Sequence, residues 1–130
     1  MSYQISIIIP VYNEEKNIYF LIEELFQYLD SVVFEVIIVN DKSIDNTEKI
    51  LSNISKNFNY IKIINNELNY GQSFSIKRGI DNSKYDTVLT IDGDCQNNPK
   101  NIPMMIEEYF SDNDLELLGG IRKNRKDSLN

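Results

Sequence analysis

The sequence contains no histidine and only one cysteine, Cys95, among its 130 residues. A single cysteine cannot form a disulfide within the chain, and without histidine no imidazole is available to activate a thiol or to bind zinc. We therefore expect Cys95 to be a small buried residue rather than a nucleophile. Carboxylate and amide oxygens remain as the candidate metal ligands.

Basic residues and long apolar runs are also scarce. The chain has 13 basic and 20 acidic residues and a formal charge of -7, so it lacks the basic surface that binds a phosphate backbone, and nucleic acid is not an expected partner. No apolar stretch reaches the roughly 18 to 20 residues that span a bilayer, and no charged-then-apolar leader precedes the first apolar run. These absences predict a cytoplasmic chain without a transmembrane segment.

The apolar residues follow a pattern of alternating strands and helices. Short β-branched runs predict strands at 5–10, 32–39, 60–64, 87–91 and 115–121. Apolar residues three and four apart predict helices between them, with caps at Asn13, Asp45 and Asn98 and a weaker helix over 72–82. This order predicts an α/β fold, a doubly wound and mainly parallel sheet with helices on both faces. No linker or repeat divides the chain, so 1–130 is expected to be one domain.

Polar residues concentrate after three of the predicted strands. Because ligands of an open parallel sheet bind beyond the carboxyl ends of its strands, these segments are candidate site positions. They are Tyr12, Asn13, Glu14 and Glu15 after the first strand, Asn40, Asp41, Ser43 and Asp45 after the second, and Asp92, Gly93, Asp94 and Gln96 after the fourth. The structural alternative is that such residues only form turns, with Asp45 as a helix cap and Glu15 as a solvated first-turn acid.

The segment after the fourth strand has the pattern of a divalent-cation site. A turn at Gly93 can bring the carboxylates of Asp92 and Asp94 together, although they would face opposite ways in a continuing strand. Two close carboxylates in a partly open site suit Mg²⁺ or Mn²⁺ completed by water and substrate phosphates. Gln96 can add an amide oxygen. We therefore predict Asp92, Asp94 and Gln96 as metal ligands.

Four ordered segments resemble family 2 glycosyltransferases of the GT-A fold. Residues 7–15, Ile-Ile-Ile-Pro-Val-Tyr-Asn-Glu-Glu, resemble the opening of that family, and residues 39–47 are similar to its Asp-x-Ser-x-Asp-x-Thr segment. Asn69, Tyr70 and Gly71, with Gly79, match its third loop and helix. Residues 92–99 resemble the Asp-x-Asp-x-Gln-x-x-Pro stretch of the polyprenyl-phosphate branch, which is dolichol-phosphate mannose synthase-like.

The resemblance implies a role for each matching position. The implied substrate-binding residues are Pro10, Val11, Tyr12, Glu14, Asp41, Ser43, Gly71, Asp92 and Arg122, of which Pro10, Tyr12, Glu14 and Asp41 would line the base and ribose pocket. Asp92 and Asp94 would be catalytic through the metal, and together with Gln96 they would hold the donor's diphosphate. For Arg122, expected near the phosphates, the alternative is a solvated arginine in a basic tail.

The implied function is transfer of a sugar from a UDP- or GDP-sugar, with inversion, to a polyprenyl phosphate or a growing glycan at the inner face of the membrane. A polyprenyl phosphate is already ionised near neutral pH and would need no general base. One alternative is a nucleotide-binding fragment without turnover. Another is a phospho-acceptor receiver domain, which is disfavoured because strand one ends in Pro10 and Tyr12 rather than in a pair of acids.

Three departures from the family pattern accompany the resemblance. Lys42 stands where the family commonly has glycine, which predicts an altered turn, and Cys95 replaces a usual leucine. The family's chains continue beyond the point that corresponds to Asn130 into acceptor-binding structure. We therefore expect the donor site within this chain and the acceptor site outside it.

Overall fold

The structure, a computed structural model, describes residues 3–29, 32–92, 99–112, 117–118 and 120–123. Strands and helices alternate along most of this length, as predicted. In chain order they are β1 (Tyr3–Val11), α1 (Ile18–Tyr28), β2 (Val32–Asn40), α2 (Thr47–Asn57), β3 (Ile61–Asn65), α3 (Gln72–Asp81), β4 (Thr87–Thr90), a 3₁₀ turn (Pro99–Asn101), α4 (Ile102–Ser111), β5 (Leu117–Leu118) and β6 (Ile121–Lys123). None of the helices in these ranges combines the length and apolar character of a membrane span.

The described strands form one sheet in the order β3-β2-β1-β4-β6-β5. The first four are parallel, and β6 and β5 are antiparallel to their neighbours, so the predicted mainly parallel sheet is confirmed. The prediction of a single strand at 115–121 was wrong, because the described residues from 117 to 123 form two short antiparallel strands, β5 and β6. Gly120 permits this arrangement: its carbonyl accepts a hydrogen bond from Thr90 N at 2.9 Å, and a Cβ at Gly120 would lie 2.6 Å from Thr90 O.

Side chains alternate between the two faces of the sheet and bury helices on both. Ile7 and Ile9 belong to the larger apolar cluster with α1, α2 and α4, whereas Ile8 lies on the opposite face, where α3 packs. Gly79 lets α3 approach closely, because a Cβ there would lie 2.5 Å from Ile8 Cγ2. The predicted helices on both faces are therefore confirmed, and α3 lies directly over β1 and β2.

Two of the predicted helix caps differ from the observed ones. Asn17, not Asn13, occupies the cap position of α1, and Asn13 has a left-handed φ of 54°. Asn46, not Asp45, occupies the cap position of α2, although Asp45 Oδ1 accepts a hydrogen bond from Thr47 N at 2.9 Å. Asp45 thus accepts a hydrogen bond from the first N–H of the helix, although it stands one residue before the cap position. The third predicted cap, Asn98, lies outside the described residues.

Candidate functional site

The carboxyl ends of β1, β2 and β4 lie side by side at one edge of the sheet. β1 pairs in parallel with both neighbours, so that Val11 is opposite Asn40 and Ile8 is opposite Thr90. The described residues that follow these strands, up to Asp92 after β4, therefore lie at the same edge of the sheet. The amino-terminal end of α3 reaches this edge too, through the contacts of Gly71 and Gln72 described below.

Hydrogen bonds cross-link the segment after β1 to the segment after β2. The four bonds, donor first, are Asn13 N to Ser43 Oγ at 2.9 Å, Ile44 N to Asn13 Oδ1 at 2.9 Å, Glu14 N to Thr47 Oγ1 at 2.9 Å and Asn46 N to Glu15 Oε2 at 3.2 Å. Asn13 therefore joins two loops instead of capping α1. Glu15 likewise holds a backbone N–H of the neighbouring loop, so it is not merely a solvated acid.

The turn at Lys42 keeps a conformation that favours glycine. Lys42 has a φ of 62°, in the left-handed region, which costs an L-residue roughly 1 to 2 kcal/mol. Ser43 holds the turn closed, because its hydroxyl donates to Asn40 Oδ1 at 2.6 Å and accepts from Asn13 N. Ser43 is thus committed to the loop itself, and its predicted contact with a substrate stays a prediction.

Asp41 is the buried centre of the site. It is 5% exposed, and its carboxylate accepts three hydrogen bonds: Oδ1 from Asn66 Nδ2 and from Tyr70 N, both at 2.8 Å, and Oδ2 from Gly71 N at 2.9 Å. We call Asp41, Asn66, Tyr70 and Gly71 the Asp41 cluster. A carboxylate has about four acceptor positions, so about one is left for a ligand. The cluster fixes the start of α3 against the end of β2.

Asn66 and Arg78, which the sequence analysis missed, support Asp41 from behind. Asn66 is 3% exposed, donates to Ser75 Oγ at 3.0 Å as well as to Asp41, and accepts from Arg78 Nη1 at 2.7 Å. The rule that identified the other segments would have found Asn66, because it directly follows β3. Arg78 has no such local pattern, since its partner lies 12 positions away.

Gly71 stands at the cap position of α3 with a φ of 99°, a conformation that L side chains rarely adopt. No atom would lie within 4 Å of a Cβ at this position, so the requirement for glycine comes from the backbone and not from crowding. Its N–H donates to Asp41 and its carbonyl accepts from Ser75 Oγ at 3.0 Å. The predicted substrate residue Gly71 therefore lies beside Asp41.

Residues after β1 differ in how available they are to a ligand. Tyr12 is 43% exposed, whereas Pro10 and Val11 are buried in the strand. Glu14 is partly exposed, and its carboxylate accepts from Asn17 Nδ2 at 3.1 Å. Tyr12 is thus an exposed aromatic residue next to two buried residues.

Asp92 lies two residues beyond the end of β4 and is partly exposed. Its Oδ1 accepts a hydrogen bond from Gln72 Nε2 at 3.0 Å, a partner that the sequence analysis missed. A carboxylate with a neutral partner suits one hard oxygen ligand of a divalent cation. The other predicted ligands, Asp94 and Gln96, lie outside the described residues, and the part of the chain that is described contains no cluster of three or more potential metal ligands.

Arg122 is described only through its backbone, which pairs with Val88 in the antiparallel ladder of β4 and β6. Its side chain lies outside the described atoms, as does Cys95. The predicted contact of Arg122 with phosphate therefore stays a prediction.

The pKa of Asp45 is lower than the ordinary aspartate value. Partial burial opposes ionisation of this carboxyl, but hydrogen bonds from the Thr47 hydroxyl and from backbone N–H groups outweigh it and lower the pKa. The carboxylate at the start of α2 is thus favoured in its charged form, which also suits a helix amino terminus.

A cavity of about 430 Å³ lies at the opposite, amino-terminal edge of the sheet. Its walls include Phe34, Tyr60, Lys62, Lys84 and Tyr85. None of the predicted site residues whose side chains the structure describes lines it. We locate the candidate site at the carboxyl edge, because that edge has the buried carboxylate cluster and the ends of the parallel strands.

Residues 6–130 match the family described as Glycosyl transferase family 2. Among individual proteins, the dodecaprenyl-phosphate galacturonate synthase of Rhizobium johnstonii is 35% identical over 131 residues, which cover 98% of this chain and 38% of that protein. The chain thus spans less than half of the length of this relative. The polyprenyl-phosphate branch named by the resemblance is the one in which this relative falls.

Solved structures of similar fold include TarS of S. aureus in complex with UDP, at a TM-score of 0.63 and 26% identity, covering 82% of this chain and 33% of that one. The mannosyltransferase PcManGT of Pyrobaculum calidifontis, in complex with GDP-Man and Mn²⁺, has a TM-score of 0.74 and 15% identity, covering 87% of this chain and 34% of that one. These likenesses confirm the predicted GT-A fold.

Proposed function

The chain belongs to glycosyl transferase family 2, and from this membership we propose that its carboxyl edge binds a UDP- or GDP-sugar through Mg²⁺ or Mn²⁺. The sugar is transferred, with inversion, to a polyprenyl phosphate or a growing glycan. The activity belongs to the whole protein, because this chain spans 38% of its relative's length. We propose the cytoplasmic face of the membrane as the location of this reaction.

One observation carries the proposal: α3 begins between Asp41 and Asp92. Gly71 N is bonded to Asp41 and Gln72 Nε2 is bonded to Asp92, so a nucleotide at this edge has the nucleoside side and the phosphate side of its pocket within one helical turn. This juxtaposition supports a single ligand that extends from the loops after β1 and β2 towards the end of β4.

We assign a role to each group of residues around the proposed nucleotide site. Tyr12 offers a ring for the base, Glu14, Asp41, Ser43 and Gly71 offer polar groups for base and ribose, and Pro10 and Val11 support them from the strand. Asp92, Asp94 and Gln96 would hold the cation, and Arg122 would bind the phosphates. The cation, when bound, neutralises the charge that develops on the nucleoside diphosphate as the sugar leaves.

The acceptor is proposed from the relative's chemistry. The Rhizobium protein is named for a dodecaprenyl phosphate, whose oxygen is ionised near neutral pH and needs no base. TarS, which is 26% identical to this chain and was solved in complex with UDP, supports a UDP-sugar as the donor. PcManGT, at 15% identity, supports the fold alone, so our proposal of a divalent cation rests on Asp92 and the acidic motif after it.

A nucleotide-binding chain without turnover is the second candidate. Binding of donor with no transfer to undecaprenyl phosphate would identify it. The receiver-domain alternative is not retained, because residues 6–130 match a different family.

Calorimetry tests the proposal directly. UDP, GDP, UDP-glucose, UDP-GlcNAc and GDP-mannose are titrated with and without Mn²⁺ into the wild type, into Asp92→Asn and into Asp86→Asn, whose carboxylate is exposed and away from the site. We expect metal-dependent binding that Asp92→Asn weakens at least about tenfold and Asp86→Asn leaves unchanged. Absence of binding for every ligand would contradict the proposal.

A further inference from the structure

Gln72 connects two elements that the sequence separates by 20 positions. It is the first residue of α3, and its side-chain Nε2 donates to Asp92 Oδ1 beyond the end of β4 at 3.0 Å. In the described ranges no lysine or arginine is within ion-pair distance of Asp92. Within the part of the chain that the structure describes, the hydrogen-bond partner of this carboxylate is therefore a neutral amide.

A neutral donor suits a carboxylate that is to bind a cation. A lysine or arginine would orient Asp92 equally well, but its positive charge would oppose a divalent cation at the same oxygen atoms. An amide N–H restricts the rotation of the carboxylate while leaving its charge in place. Hydrogen bonds of this kind to metal-ligating carboxylates typically change metal affinity by about 10- to 100-fold.

The backbone that carries Gln72 is fixed by buried groups. The two preceding N–H groups, those of Tyr70 and Gly71, both donate to the carboxylate of Asp41. Asn66 also donates to that carboxylate, and Arg78 in turn donates to Asn66. The Asp41 cluster therefore fixes the backbone position from which the exposed Gln72 side chain extends.

The contact itself lies at the surface, since Gln72 is exposed. An exposed hydrogen bond contributes little to the stability of the fold. Loss of the Gln72 amide should therefore change the binding of a cation much more than the melting temperature, and the two measurements separate a positioning role from a structural one.

We propose that Gln72 is a positioning residue that holds Asp92 through Oδ1 and so presents Oδ2 of Asp92 to the divalent cation. This inference rests on the proposed function, because it requires a cation at Asp92. It also assigns the Asp41 cluster a second task, namely to place the start of α3 where Gln72 can reach Asp92.

The test compares three variants with the wild type. Gln72→Met keeps the length and helix preference of the side chain without the donor, Gln72→Lys substitutes a charged donor, and Ser73→Ala is the control at the exposed neighbouring position. Free Mn²⁺ is measured by electron paramagnetic resonance during titration, without nucleotide and then with UDP or GDP, and melting temperatures are recorded alongside.

We expect Mn²⁺ to bind Gln72→Met about tenfold more weakly and Gln72→Lys more weakly still, with Ser73→Ala unchanged and with melting temperatures and metal-free nucleotide affinities preserved. Wild-type Mn²⁺ affinity in Gln72→Met or in Gln72→Lys would overturn the positioning role and leave the proposed function intact. A wild type that binds nucleotide but no Mn²⁺ would overturn both the metal proposal and this inference.

Discussion

The two sides of the candidate site differ in how firmly the chain itself holds them. The β1–β2 side, residues 12–17 and 41–47, is cross-linked by four hydrogen bonds between its loops, and Asp41 accepts three more from the segment between β3 and α3. On the β4 side, Asp92 is held by one exposed amide among the described residues. Hydrogen bonds within the chain therefore organise the β1–β2 side before any ligand binds.

Burial explains the difference. Asp41 and Thr47 are almost fully buried, so their hydrogen bonds are protected from water and the loss of one partner leaves a buried polar group unpaired. Asp92 and Gln72 can exchange their partner for water at little cost. The comparison therefore predicts large effects on stability for changes on the β1–β2 side and effects mainly on ligand binding for changes on the β4 side.

The largest effect is expected from Asp41→Ala. The substitution leaves Asn66 Nδ2 and the N–H groups of Tyr70 and Gly71 without their acceptor, and unpaired buried donors cost about 1 to 3 kcal/mol each before relaxation. We expect the free energy of unfolding, measured in urea, to fall by about 3 kcal/mol. The matched control Asp86→Ala, at an exposed position, should change it by less than about 0.5 kcal/mol. An equal loss of unfolding free energy in Asp41→Ala and Asp86→Ala would contradict the predicted difference between a buried and an exposed carboxylate.

A smaller effect of opposite sign is expected from Lys42→Gly. Glycine relieves the left-handed strain at φ 62°, roughly 1 to 2 kcal/mol, but it loses more backbone entropy on folding. The net gain in the free energy of unfolding should be about 0.5 to 1 kcal/mol. Lys42→Ala removes the same charge while keeping the Cβ, so it should give no such gain; stabilisation by alanine would assign the effect to charge and not to strain.

The smallest effect is expected from Asp45→Asn, and it should depend on pH. Because hydrogen bonds lower the pKa of Asp45 in the folded state, its contribution to stability is present above the ordinary value of 3.8 and is lost as pH falls through the folded-state pKa. At pH 7 the variant should be less stable by about 0.5 kcal/mol, from the lost charge at the start of α2. The gap should close by about pH 2, and a constant gap would contradict the assignment.

The sequence predicted most of the elements because apolar periodicity reports burial directly. The alternation of Ile7, Ile8 and Ile9 between the two faces of β1 is a local property, and so is the position of Asp92 after β4. The cap at Asn13 was predicted wrongly because its actual partner, the N–H of Ile44, lies 31 positions away. The last predicted strand is divided in two because Gly120 approaches the backbone of Thr90 closely, and no local sequence pattern indicates this contact.

The same reasoning explains which site residues were found. Asp41 and Asp92 were found because they follow strands, but Gln72 begins a helix and Arg78 lies inside one, and their roles depend on where α3 packs. That packing depends in turn on Gly79, whose absent side chain lets α3 approach Ile8. Positions defined by contact between elements need the folded chain to be recognised.

The spacing of the Asp41 cluster also bears on when the pocket forms. The three donors to the Asp41 carboxylate come from 25 to 30 residues further along the chain. Until the segment that carries these donors packs against β2, the Asp41 carboxylate has only water as its partner. The closing of this long loop brings an entropic cost that only the packing of α3 offsets. The Asp41 cluster therefore forms only when the segment between β3 and α3 has reached its folded position.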